Sequence, residues 1–233
     1  METWLEWARG PAFYAALTFM VLGLVRRVAI TVWELAWTWR RAGDKEIPSH
    51  RVLAATMEWL LPRRRLGNRL PYSLSTLVFH VSILLVPLFL AGHIALWSPV
   101  LGFALPALPN SLATFLTVAA IVTSLALVVE RIASRESRFL SRFQDYALPL
   151  VVAVPFASGF LVMHPGMNPF PFDATLLVHV LSANIVLILV PITKLSHVIL
   201  LPATQLVSEL AWHFPPDAGS QVARALKKEG EAI

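Results

Sequence analysis

The chain has 233 residues, of which 57% are hydrophobic and 14% are charged, and its mean hydropathy is +0.66. These values exclude an ordinary soluble domain and predict one all-α integral membrane domain over residues 1–233. The absence of cysteine excludes disulfides, a cysteine-ligated iron–sulfur cluster and a covalently attached c-type haem. The net charge of +5 is explained by basic loops at a membrane, so no nucleic-acid partner is expected.

Apolar runs that are continuous rather than alternating predict a bundle of five transmembrane helices. The polar stretch 38–71 carries a short helix over 52–61, which follows the N-cap candidate Ser49. A polar tail covers residues 202–233. The predicted spans are residues 11–37, 75–97, 112–129, 146–163 and 174–201.

The basic residues predict how the chain is oriented in the membrane. Fifteen of the 19 lysines and arginines lie in the loop 38–71, in the loop after span three or in the tail. Because lysine and arginine accumulate on the cytoplasmic side, the N-terminus is predicted outside and the C-terminus in the cytoplasm. The protein is therefore expected to be a multi-pass protein of the cytoplasmic (inner) membrane.

Four histidines lie within two of the predicted spans. His179 and His197 are eighteen residues apart in span five, so a continuous helix would present both from one face, roughly 27 Å apart. His80 and His93 lie in span two, where Pro87 between them is expected to kink or unwind the helix. Spans two and five run antiparallel in this topology. It therefore pairs His80 with His197 near the inner face, and His93 with His179 near the outer face.

These pairs support the hypothesis of two bis-histidine metal centres stacked across the membrane. Haem b is the natural candidate, because imidazole is an axial ligand of haem iron. Two alternatives are that the histidines only join helices, or that they relay protons in a small transporter. Arg27 and Lys194 also lie within spans, where each would either extend to the interface or neutralise a haem propionate.

The most specific motif runs from His179 to His197 and contains Pro191, Lys194 and Leu195. With Phe79-His80 and Gly92-His93 in span two, it resembles the cytochrome b membrane subunit of respiratory nitrate reductase, the gamma-subunit family, over nearly the whole chain. The end of span two looks more like relatives that serve hydrogenases, sulfite-reductase-linked complexes and heterodisulfide-reductase-like complexes; its residues are Leu90, His93, Leu96 and Trp97.

The resemblance implies that the four histidines bind two b haems, and that the chain transfers electrons between membrane quinone and an iron–sulfur partner subunit. Such a subunit would not act alone on a soluble substrate. We expect quinone to react near the outer haem, in a pocket drawing on His93, Trp97 and His164. The lysine of the nitrate reductase quinone site has no counterpart in residues 105–115.

We expect the partner subunit on the cytoplasmic face, because that side has the longer segments. The loop 38–71, the four-arginine loop after span three and the tail supply enough residues for an interface of standard size. A haem-free membrane anchor and a small proton-coupled transporter remain the alternative functions.

Overall fold

A computed structural model describes residues 1–41, 49–60, 70–200, 206 and 218–229. The described residues form helices and turns, with no strand among them. Two 3-10 turns cover Pro165–Met167 and Lys194–Ser196. The helices are α1 (Glu2–Arg9), α2 (Pro11–Arg41), α3 (Ser49–Leu60), α4 (Leu70–Phe89), α5 (Ala91–Leu101), α6 (Asn110–Ala133), α7 (Arg135–Leu140), α8 (Phe143–Met163), α9 (Phe172–Ile192) and α10 (Ala218–Ala225).

Five helical segments of the described chain are long and apolar enough to cross a membrane. They are the segment Glu2–Arg40, which joins α1 and α2, and the helices α4, α6, α8 and α9. At most 22% of the apolar window in each segment is buried inside the protein, so most of its apolar surface faces outward. Lipid accommodates such a surface, and a helix satisfies its own backbone hydrogen bonds there. The prediction of an all-helical, multi-pass membrane protein is confirmed.

The chain divides into two compact units. The first contains Met1–Met20 and Arg65–Lys194, and the second contains Val21–Arg64 and Leu195–Ile233. In the first unit α4 packs on α6, α6 on α8, and α8 on α9, while α1 lies against α9. The second unit holds the remainder of α2 together with α3 and α10.

Small side chains line the helix contacts of the first unit. Ser82 on α4 and Ser124 on α6 are fully buried, and Ala120 on α6 is 1% exposed. Helices in lipid gain little from the hydrophobic effect and associate through close packing, which small residues permit. The helices of this unit can therefore approach each other closely.

Predicted span two consists of two helices, α4 and α5. Helix α4 passes through Pro87 and ends at Phe89, and Leu90 is extended, with φ −73° and ψ 131°. Proline weakens a helix because it lacks an N–H and its ring clashes with the preceding turn. The N–H of Leu108 donates to the Phe89 carbonyl at 2.8 Å, so the following loop satisfies a group that the break exposes. The expected interruption between the two histidines of this span is confirmed.

Predicted span five is shorter than the sequence suggests, because α9 ends at Ile192. The Thr193 hydroxyl and N–H both donate to the Leu189 carbonyl, at 2.7 Å and 3.0 Å, and Thr193 itself is extended. Local side-chain bonding of this kind competes with continued helix. The prediction of one helix over residues 174–201 is therefore wrong, and so is the inference that His179 and His197 share one helix face.

Among the described residues, short helices also lie outside the main spans. Helix α3 covers Ser49–Leu60, so the short helix in the loop 38–71 begins three residues before the predicted start at residue 52 and includes Ser49. Helix α7, which connects α6 and α8, has only six residues and was not predicted. It lies in the four-arginine loop.

Candidate functional site

The first unit brings His93 and His179 together. Their ring centres are 5.9 Å apart, and the ring planes are inclined by 12°. His93 lies in the first turn of α5, directly after the break that follows α4, and His179 lies in the second turn of α9. These are the two histidines that the antiparallel topology pairs near one membrane boundary.

Backbone carbonyls orient both imidazoles. His179 Nδ1 donates to the Pro155 carbonyl at 2.8 Å, and His93 Nδ1 donates to the Val86 carbonyl at 3.3 Å. A carbonyl oxygen only accepts, so the proton resides on Nδ1 and the Nε2 lone pair is available. Metal-ligating histidines almost always donate their other ring N–H to a carbonyl, a carboxylate or water. Both rings therefore have the tautomer of a metal ligand.

The distance between the rings suits one metal atom held by both. Two metal–imidazole bonds of about 2 Å each place the facing nitrogens about 4 Å apart. The remaining 1.9 Å (5.9 − 4) is about the sum of two distances, each from a nitrogen to the centre of its own ring. Neither Nε2 makes a hydrogen bond within the part of the chain that the structure describes. The pair can therefore supply two nitrogen ligands.

The number of nearby ligands bears on which metal group fits. Among the described residues, no group of three or more His, Cys, Asp or Glu is placed to hold a metal ion. Structural zinc takes four protein ligands, which two histidines cannot supply. A haem iron needs only axial ligands from the protein, because the porphyrin supplies the others. The donor set thus fits a haem better than a protein-bound metal ion.

Gly159 on α8 lies directly against the His179 ring. A Cβ atom at this position would be 2.9 Å from Cε1 and 3.0 Å from Nδ1 of His179. A Cβ at Gly92, beside the other histidine, would meet nothing within 4 Å. Only a residue without a side chain lets α8 approach this imidazole, so Gly159 is part of the site.

Helix α1 brings a positive charge to the pair. Asn184 on α9 is only 6% exposed, and its Nδ2 donates to the Ala8 carbonyl at 3.0 Å, which holds the end of α1. Arg9 follows and lies close enough to His179 for its charge to act on that imidazole. Sequence reasoning treated the N-terminus as a short outer segment and missed this contact. The available signal was Asn184, an amide in the middle of an apolar run.

The other two histidines lie in different units. His80 on α4 donates from Nδ1 to the Thr76 carbonyl at 2.7 Å, and the Phe79 ring meets it edge-on. His197 belongs to the second unit. The pairing of His80 with His197 stays a prediction.

Lys194 has an acidic partner on α8. Its ammonium group donates to both carboxylate oxygens of Asp145, at 2.6 Å and 2.7 Å. Asp145 also accepts the backbone N–H of Arg142 at 2.9 Å, at the start of α8. Lys194 therefore links the end of α9 to the beginning of α8, whatever else it contacts.

The other three predicted site residues are Arg27, His164 and Trp97. Arg27 lies on α2 in the second unit and is half-buried. His164 donates from Nδ1 to the Phe160 carbonyl at 2.8 Å, and its ring stacks on Phe160 with centres 4.3 Å apart. The side chain of Trp97 lies outside the described part of the structure. The predicted quinone pocket therefore stays a prediction.

The chain is similar to a bacterial protein over most of its length. The chain is 36% identical over 197 residues to a protein from Nitratidesulfovibrio vulgaris (strain Hildenborough), a match that covers 82% of this chain and 85% of that protein. No family model matches the chain. No solved structure matches it either.

Proposed function

We propose that this chain, which belongs to the same family as the Nitratidesulfovibrio vulgaris protein, is a dihaem cytochrome b membrane subunit. It would transfer electrons between membrane quinone and an iron–sulfur partner subunit of a respiratory complex. The observation that carries the proposal is the His93–His179 pair, with ring centres 5.9 Å apart and both Nδ1 atoms held by carbonyls. The resemblance of the histidine motifs to the nitrate reductase gamma-subunit family supports the same function.

Haem b supplies one-electron transfer when it is bound. His93 and His179 would hold the first iron, and the carbonyls of Val86 and Pro155 keep both rings in the ligating tautomer. Arg9 would oppose the negative charge of the propionates from α1. The surrounding apolar helices exclude water, which sets the local dielectric and hence the reduction potential.

The second haem, the quinone site and the partner belong to the same proposal. His80 and His197 would hold the second iron, with the N-terminus outside and the C-terminus in the cytoplasm of the inner membrane. Quinone would react beside the His93–His179 haem, near Trp97 and His164. The partner subunit would dock on the cytoplasmic face, using the loop 38–71 and the tail.

A haem-free membrane anchor is the second candidate function. The specific observation in its favour is that 5.9 Å lies within the range of about 4.5–7 Å at which aromatic rings pack against each other. In that case the two imidazoles would only join α5 to α9. Haem content separates the two functions.

The test is haem content in full-length purified variants. His93→Ala and His179→Ala should each lose the same single haem, because either change removes one of two axial ligands. His164→Ala is the matched control, since this half-buried histidine lies outside the pair. Helix content by circular dichroism shows whether each variant folds. Retention of all haem in both folded variants would refute the assignment.

A further inference from the structure

The connection between α6 and α8 exposes three large apolar side chains. Phe139 is 89% exposed, Leu140 is 77% exposed, and Phe143 is 84% exposed. These are the most exposed large hydrophobic side chains in the described part of the chain. Unlike the lipid-facing residues of the spans, Phe139 and Leu140 lie on a connection that also carries charge, so hydrocarbon alone cannot surround them.

Hydrogen bonds to the end of α6 hold this connection. Arg138 Nη1 donates to the Ile132 carbonyl at the end of α6, at 2.6 Å. Arg131 Nη1 donates to Ser141 Oγ, beyond α7, at 3.0 Å. Helix α7 is thus held across the end of α6. The apolar side chains of α7 are therefore exposed while the helix itself is held in place.

The same connection is strongly basic. Residues 131–142 contain four arginines and one glutamate, a net charge of +3 (4 − 1). Arg135 makes no hydrogen bond or ion pair within the described residues. With Glu136, Arg138, Phe139 and Leu140 it lines an open groove of about 690 Å³. The groove therefore joins two guanidinium groups and one carboxylate to an apolar wall, and the Glu136 carboxylate already accepts a hydrogen bond from Ser134 Oγ at 2.8 Å.

We propose that this groove binds an anionic phospholipid at the membrane surface. Helices α6 and α8 are consecutive membrane-spanning segments, so the connection between them lies at a bilayer boundary. Phe139, Leu140 and Phe143 insert between headgroups and acyl chains, and the guanidinium groups of Arg135 and Arg138 bind the lipid phosphate. The positive charge of the two arginines favours an anionic lipid over a neutral one. The apolar side chains contact the acyl chains, which both kinds of lipid share.

The alternative occupant is a soluble partner protein. It would have to cover two phenylalanines and a leucine at the depth where lipid is already present. The position of the groove between two spans therefore favours lipid. The proposal does not depend on haem binding, so its failure would leave the electron-transfer proposal unaffected, and the reverse also holds.

Spin labelling of the full-length protein tests the insertion. The chain contains no cysteine, so Phe139→Cys or Leu140→Cys creates a unique labelling site. In phosphatidylcholine discs that contain some phosphatidylglycerol, nitroxides at both sites should be relaxed by oxygen and protected from a water-soluble nickel chelate. Glu136→Cys, at the acidic position of the same groove, is the comparison on the same helix and should be accessible to nickel. Nickel accessibility at 139 and 140 equal to that at 136 would overturn the proposal and indicate a protein partner.

Native mass spectrometry tests the headgroup. The protein should retain phosphatidylglycerol in preference to phosphatidylcholine, and Arg135→Gln should reduce this preference by about fivefold. Arg135 makes no hydrogen bond within the residues that the structure describes, so this substitution should not disturb their fold. Arg224→Gln is the control for loss of an exposed arginine elsewhere in the chain. An unchanged preference in Arg135→Gln would overturn the proposed phosphate contact.

Discussion

Substitution of Gly159 by alanine should displace His179 and remove one haem. The added Cβ atom would lie 2.9 Å from Cε1 of the ring, whereas ordinary contacts begin at 3.4 Å. The ring or α8 must therefore move, by about 0.5 Å (3.4 − 2.9) if ordinary contact is to be restored. The ring is also held at 2.8 Å by the Pro155 carbonyl on the same helix, so displacement of the ring strains that hydrogen bond.

Overpacking of this kind costs about 1–3 kcal/mol. If the cost falls on the haem-bound state, affinity for that haem drops by about 5- to 150-fold. The assay is haem per protein in the purified full-length variant, together with the electron paramagnetic resonance spectrum of the oxidised form. We expect loss or spectral change of one haem and an unaltered second haem.

Gly92→Ala is the matched control for this experiment. It adds the same methyl group beside His93, but its Cβ would meet nothing within 4 Å. It should therefore retain both haems with unchanged spectra. Equal behaviour of the two variants, both keeping wild-type haem content and spectra, would refute the close approach of α8 to a haem-ligating His179.

Three further experiments, each with a pair of substitutions, test the remaining parts of the site. His80→Ala and His197→Ala should each remove the same second haem, and loss of different haems would contradict their pairing. In a double-mutant cycle measured by thermal denaturation, Asp145→Asn and Lys194→Gln should show a coupling energy of about 0.5–1 kcal/mol. The value is small because the lysine is half-exposed and solvent screens the ion pair. Zero coupling energy would mean that the two side chains form no ion pair. Arg9→Gln should lower the midpoint potential of one haem, because a nearby positive charge favours the reduced iron. Arg9→Lys keeps the charge and should leave the potential unchanged. An unchanged potential in Arg9→Gln would place Arg9 away from the haem.

The membrane spans could be predicted because each is a long and mostly apolar run. Their ends could not, because local hydrogen bonds decide them. Thr193 ends α9 by donating twice to Leu189, nine residues before the predicted end at residue 201 (201 − 192). The break in span two was predicted from Pro87, but it falls at Leu90, where the helix can restart.

The histidine pair was predictable, and its surroundings were not. Depth along two antiparallel spans is enough to match His93 with His179. In lipid, however, all faces of a helix can be apolar, so hydropathy does not show which face packs against a neighbour. The contact of Gly159 with His179, and the hydrogen bond from Asn184 to α1, depend on that packing. Neither could be read from the apolar pattern.

The central claim is that this chain is a dihaem cytochrome b, and a single measurement tests it most directly. The full-length protein should be purified from membranes, and its haem should be quantified alongside a reduced-minus-oxidised absorbance spectrum. The account predicts a b-type spectrum with two haems for each chain. Folded, full-length protein without a b-type spectrum would contradict it.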